Sequence, residues 1–318
     1  MVSLLSVFAT AILPIVTVGG VGYLLGRVRR IDTDALNTVV VYVLAPALIF
    51  HSLAATTLAG STLARITVAI VAFHALAIAL AEGVGRLFGA SETALAALVL
   101  VVAFPNTGNY GIPVSTFAFG ATGRATAAVY LSVQAVLVYT VGLYIASRGG
   151  TDGWRTGLRR VFSVPLVYAV AAALVARALG VVPPSDSTAM ATVQLVGDAA
   201  IPIMLLLVGI QLARTDVRTT LSAISGVVGL KMIVAPLLGI GVALAAGFDD
   251  PVVARTFVLE SAMPTAITPL ILVGEFADGD VAGVPVAEFV STVIFATTLV
   301  SVVTLTLLIS ILKSGVAV

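Results

Sequence analysis

Within "FPNTGNYGIP" (104–113), Pro105, Asn106, Gly108, Asn109, Gly111 and Pro113 are residue types that a continuous apolar helix does not favour. A proline inside a helix costs about 3 kcal/mol and a glycine about 1 kcal/mol, so the stretch is expected to interrupt a helix. An interruption exposes half-helix ends. Amides at an N-terminal end, with the positive pole of the dipole, attract an anion, and carbonyls at a C-terminal end attract a cation. The side-chain amides of Asn106 and Asn109 can donate to a carboxylate or accept from a hydroxyl. "ESAMPTAITPLIL" (260–272) has the same character, with breaks expected at Pro264 and Pro269, and Thr265 is placed beside the first of them.

Glu260 opens that second stretch, in a segment too apolar to hydrate it. A carboxylate at membrane depth costs about 2.5–3.5 kcal/mol unless it is hydrated, neutralised or paired. Three roles stand open: holding a coupling ion, pairing with Lys231 of the preceding span, or facing solvent. As an ion site, Glu260 suits Na+ if freed carbonyls and an asparagine oxygen join it, and suits H+ alone. Lys231 is a candidate charge partner, a snorkelling side chain, or a positive charge for an anion. His51 and His74 are either proton relays or hydrogen-bonded packing residues. Gln134, Gln211 and Glu288 carry no sharper reading, and Asp198 is expected to find a stabilising partner at an interface.

The medium follows from composition. The chain is 60% hydrophobic and 10% charged, with a mean hydropathy of +1.18, far from the balance of a soluble domain. A polytopic membrane protein is expected, and lipid is its surroundings. A net charge of +1 gives no basic face for nucleic acid, and the lack of cysteine removes thiolate and disulfide chemistry. The first basic residue, Arg27, follows the first apolar run, which is therefore read as a retained span. "GGVGYLLG" (19–26) lies within it and reads as close helix packing, not as a nucleotide loop.

Polar punctuation divides the chain into ten expected spans, at 3–26, 36–55, 63–87, 92–119, 124–147, 161–180, 190–212, 219–246, 251–276 and 284–312. Basic residues gather on one side of them, at Arg27, Arg29, Arg30, Arg86, Arg148, Arg155, Arg159, Arg160, Arg214 and Arg218. That side is expected to be cytoplasmic, with both termini outside and Trp154 and Phe162 anchoring the boundary. The loop 148–160 separates a first five-helix repeat (1–147) from a second (161–318). Pro105, Phe117, Ala118 and Gly120 recur at one common offset as Pro264, Phe276, Ala277 and Gly279. An odd number of spans per repeat inverts the second, the architecture of secondary transporters whose broken helices meet near the midplane.

"AFPNTGNYGIP", the proline-broken ninth span, "LKMIVAPLLGI" (230–240) and ten spans in two fives resemble the auxin efflux carrier family, in its short prokaryotic form. The resemblance covers essentially the whole chain. It implies an all-α membrane protein carrying small organic anions across the cell membrane as a homodimer. Helices 1, 2, 6 and 7 would form a scaffold, with helices 3–5 and 8–10 moving against it as an elevator. Helices 4 and 9 would cross at their prolines. Substrate would lie against Asn109, Gly108, Pro105, Pro264 and Thr265, with Asn106 nearby. The more distant bile acid sodium symporters are similar in placing a glutamate in a broken ninth helix as a sodium ligand. Plant members argue against sodium, so Na+ and H+ both stay open and no other cofactor is expected.

Rival classes fare less well. No GxSxG stretch or second mid-span aspartate supports an intramembrane protease, and two histidines without cysteine give no usual metal site. An enzyme is not expected. An anion channel or uncoupled facilitator is the alternative, because broken helices also line pores.

Overall fold

The structure, a computed structural model, describes residues 4–147, 165–214, 221–277, 279–281 and 283–315. The expected linker 148–160, with Trp154, and also Phe162 and Arg218 lie outside these residues. The chain is built of helices: α1 (Leu4–Val28), α2 (Thr33–Ala54), α3 (Gly60–Leu87), α4 (Glu92–Ala103), α5 (Thr107–Ala146), α6 (Pro165–Ala178), α7 (Thr188–Arg214), α8 (Ile224–Ala246), α9 (Pro251–Ser261), α10 (Thr268–Phe276) and α11 (Val286–Ser314). A two-residue hairpin, β1 (Asp280–Val281) with β2 (Val284–Pro285), precedes α11. Among the described residues, seven helices are long and apolar enough to cross a membrane. The chain is an all-α membrane protein.

The count of seven against the ten expected spans has a local cause. Helix α4 is apolar but short, the described part of α6 starts at Pro165 within the expected span 161–180, and the segment 251–276 is divided by its break into α9 and α10. Helix α5 covers parts of two expected spans, because Gly120 (φ 64°, ψ −144°) turns the chain sharply within it. Only glycine takes that conformation without strain.

Proline also shapes the unbroken helices. Pro14, Pro46, Pro113 and Pro236 each stand two residues after a π-helical turn, at Phe8–Ile12, Val40–Leu44, Thr107–Gly111 and Leu230–Val234. A proline has no amide to give, and its ring crowds the carbonyl one turn earlier; a widened turn relieves both. The chain thus bends without ending.

Two groups of helices result. In one, α1 packs along the second half of α7, while α2 packs on α6 and on the first half of α7. The close approach requires glycine: a Cβ on Gly209 would overlap the backbone of Gly19 and Tyr23, and one on Gly22 that of Leu206. In the other, α3 packs on α4, α5 and α8, α9 packs on α5 and α8, and α11 packs on α4, α8 and α10. The core is apolar apart from a small set of buried polar groups, among them His74, Ser115, Gln134, Lys231, Glu260 and Thr265.

Candidate functional site

Helix α4 ends at Ala103 and α9 at Ser261, and the chain resumes as helix at Thr107 and Thr268. The two gaps meet. Pro105 and Thr265 pair as an antiparallel bridge, with Asn106 N donating to Pro264 O at 2.7 Å and Ala266 N donating to Phe104 O at 3.1 Å. Backbone that leaves a helix inside an apolar core must find partners elsewhere. Here each break supplies the other.

Side chains satisfy the rest of the crossing. Gln134 of α5 donates its Nε2 to Pro105 O at 2.7 Å, and its Oε1 lies 3.3 Å from His74 Nε2. His74 Nδ1 lies 2.8 Å from Ile70 O, so this ring is held as a packing residue on α3. Thr265 donates its hydroxyl to Val101 O at 2.8 Å and Lys231 donates Nζ to Val102 O at 3.0 Å, capping the last carbonyls of α4.

A cavity of about 180 Å³ opens on the crossing. Pro105, Asn106, Thr107, Gly108 and Asn109 line one wall, Ala266, Ile267 and Thr268 another, and Asn37, Gln134, Leu166 and Met204 complete it. Both resuming helices therefore begin at the cavity. In α5 the first backbone bond of the π-helical turn is Gly111 N to Asn106 O, at 2.8 Å, so Gly108 and Asn109 have no carbonyl one turn earlier to receive their amides. The side-chain amides of Asn106 and Asn109 make no hydrogen bond among the described residues. Asn106 also borders a second cavity of about 210 Å³, lined by Gln211, Arg214 and Thr298 among others.

Glu260 is brought close, but not into the cavity. It is fully buried, accepts from Ser115 Oγ at 2.6 Å through Oε1, and leaves Oε2 without a partner. Gly111 makes the room, since a Cβ there would overlap the carboxylate. Of the three roles weighed for Glu260, two fail on this geometry. Zero exposure rules out a solvent-facing carboxylate, and no ion pair with Lys231 exists among the described residues, because the Lys231 ammonium is directed at the end of α4. Lys231 does not snorkel either, being fully buried. Pro264 and Thr265 sit beside the cavity without lining it, their backbone being taken up by the bridge.

A model of the membrane transport protein family matches residues 7–152 and 156–309. The chain belongs to that family. The membrane transport proteins include the auxin efflux carriers, which is the resemblance carried by the asparagine, glycine and proline cluster. An uncharacterized transporter of Methanothermobacter thermautotrophicus is 29% identical over 298 residues, covering 93% of this chain and 95% of the relative. A putative malonate transporter of Rhizobium meliloti is 26% identical over 304 residues, covering 92% of each.

In this membrane transport protein, sequence reasoning missed Asn37, Ala266, Ile267 and Thr268 as cavity walls. Thr268 carried a signal, since it directly precedes Pro269 and so opens the resumed helix. Asn37 carried only its polarity within an apolar run. Asp198, expected to have a partner, pairs with Arg124 at 2.5 Å beside a third cavity bordered by His51 and Gln194. Glu288 leaves Oε1 unpaired in a buried setting, for which the surroundings give no physical account.

Proposed function

We propose that this chain is a secondary transporter of a small carboxylate, bound at the crossing of α4–α5 with α9–α10. The observation that carries the reading is the convergence of two helix N-termini, at Thr107 and Thr268, on one cavity bearing the unused amides of Asn106 and Asn109. Such ends favour an anion without a fixed positive charge, which allows release as well as capture. The volume, about 180 Å³, falls below the roughly 300–1,000 Å³ of drug-sized sites and suits a small substrate. A relative named as a putative malonate transporter makes malonate the first probe.

The architecture proposed is the inverted repeat, 1–147 against 161–318, with ten passes. The matched breaks support it. The packing of α1 on α7 and of α2 on α6 and α7 supports a scaffold, against which α5 and α11 lie as part of a moving unit; the elevator, the homodimer and the cell membrane are proposed with it from the family resemblance. The cavity lies toward the end of the molecule bearing Arg27, Arg29 and Arg30, which the charge bias makes cytoplasmic, with both termini outside. Glu260, with one oxygen free, is the residue proposed for coupling to an ion, Na+ or H+.

Uptake of radiolabelled malonate into proteoliposomes tests the reading. Saturable uptake that accelerates with malonate already inside marks a carrier; single-channel current marks the pore alternative. Asn109→Ala is expected to lower uptake about tenfold, or about 1.4 kcal/mol of binding. Uptake unchanged in that variant would place the substrate elsewhere.

A further inference from the structure

Half-helix C-termini inside a transporter present carbonyls with the negative end of a helix dipole, and in this class of architecture they often coordinate a coupling cation. Helix α4 has such an end at Ala103, fully buried beside the substrate cavity. Four carbonyls at or just past that end are already answered. Thr265 donates to Val101 O, Ala266 N to Phe104 O and Gln134 to Pro105 O, while the ammonium of Lys231 donates to Val102 O at 3.0 Å.

Lys231 is an unusual choice for that task. Its side chain is fully buried, Val102 O is its one hydrogen-bond partner among the described residues, and no carboxylate lies within ion-pair distance of it there. Burying an ammonium carries a desolvation penalty of several kcal/mol, which a hydroxyl or amide in its place would avoid. What the ammonium adds is a full positive charge against the negative pole of α4. The π-helical turn Leu230–Val234, imposed ahead of Pro236, sets the register that carries Lys231 to this position.

We propose that Lys231 is a built-in cation that occupies the place of a coupling cation at the C-terminal end of α4, so that assembly of the crossing needs no Na+ there. The inference rests on the transporter reading for its consequence but not for its test, because cation binding is measured without substrate. Removing the ammonium while leaving space turns the terminus into a site that a free Na+ fills. Filling the same volume with an uncharged side chain leaves the dipole uncompensated and no room for an ion.

The experiment compares melting of the purified protein in choline chloride and in sodium chloride. The parent's difference between the two salts, which includes any Na+ held at Glu260, is the reference. Lys231→Ser is expected to melt roughly 5 °C or more lower in choline and to regain most of that in a Na+-dependent manner. Lys231→Met is expected to melt low in both salts. A Lys231→Ser variant no more responsive to Na+ than the parent overturns the proposal, as does a Lys231→Met variant as stable as the parent. If neither variant folds, binding of radioactive Na+ to the parent decides: stoichiometric binding that Thr265→Val abolishes overturns the proposal, and binding unaffected by Thr265→Val or absent upholds it. Loss of malonate uptake in every experiment with these Na+ results intact would fault the substrate reading, not the built-in cation.

Discussion

Gly111 and Glu260 compete for one volume, and the glycine yields. A methyl group at Gly111 would meet the buried carboxylate that Ser115 holds, although the backbone there is ordinary right-handed helix. Gly111→Ala should therefore destabilise the protein by about 1–3 kcal/mol through overpacking, against the small gain that alanine brings to a helix. Combining it with Glu260→Ala should cost less than the sum of the two single changes, read as melting temperatures in detergent. Additive costs would mean that the two residues do not share the space. Glu260→Gln keeps the shape and the Ser115 contact while removing the charge. If Glu260 carries the coupling ion, this variant should transport malonate with no response to a Na+ or pH gradient, and retained dependence on either gradient would move the coupling site away from it.

At the level of elements, glycine and proline decide how close helices come and where they stop. The contact of α1 with α7 depends on Gly209, which lies against the carbonyl of Gly19. Gly209→Ala must push the two helix backbones apart, and a loss of about 1–3 kcal/mol in unfolding free energy is expected, beyond what propensity would return. The matching change at Gly241, with no atom near its missing Cβ, should be neutral or mildly stabilising, which makes it the control. The breaks were legible beforehand at Pro105 and Pro264; Gly108, Gly111 and Pro113, also expected to break the helix, stand inside the resumed α5, where a π-helical turn accommodates the proline, and Pro269 stands in the first turn of α10, where its missing amide costs nothing. The meeting of the two breaks was expected from the inverted repeat and from the resemblance, but the bridge between Pro105 and Thr265 was not, because backbone bonds between residues so distant in sequence leave no local pattern. The role of Lys231 was not legible at all. Its partner is a carbonyl, Val102 O, and a carbonyl has no residue type to read.

For the molecule as a whole, the proposed elevator requires the unit containing α5 to slide against the unit containing α7. The ion pair of Arg124 with Asp198 joins these two helices. Its side chains are 22% and 44% exposed, and such pairs are worth about 0.2–1 kcal/mol, so it can open and close in each cycle. Because the chain has no cysteine, thiols placed at these positions would be the only ones present. Joining Arg124→Cys and Asp198→Cys with a short reducible cross-linker should arrest malonate transport, with recovery on reduction. Full activity of the cross-linked protein would show that α5 and α7 do not move apart during transport, and the elevator would have to be abandoned.

The sequence by itself determined the medium, the helical class, the places where helices break and the polar residues beside those breaks. Composition, length of apolar runs and the conformational limits of proline and glycine are local properties, and each acts wherever the residue stands. Tertiary structure alone decided which groups share a space. It set Glu260 against Gly111 and Ser115 instead of Lys231, turned Lys231 to the end of α4, and brought Asn37 and Thr268 to the wall of the cavity. Those outcomes depend on packing between distant segments, where an apolar helix face can be satisfied by many neighbours but a buried charge by few.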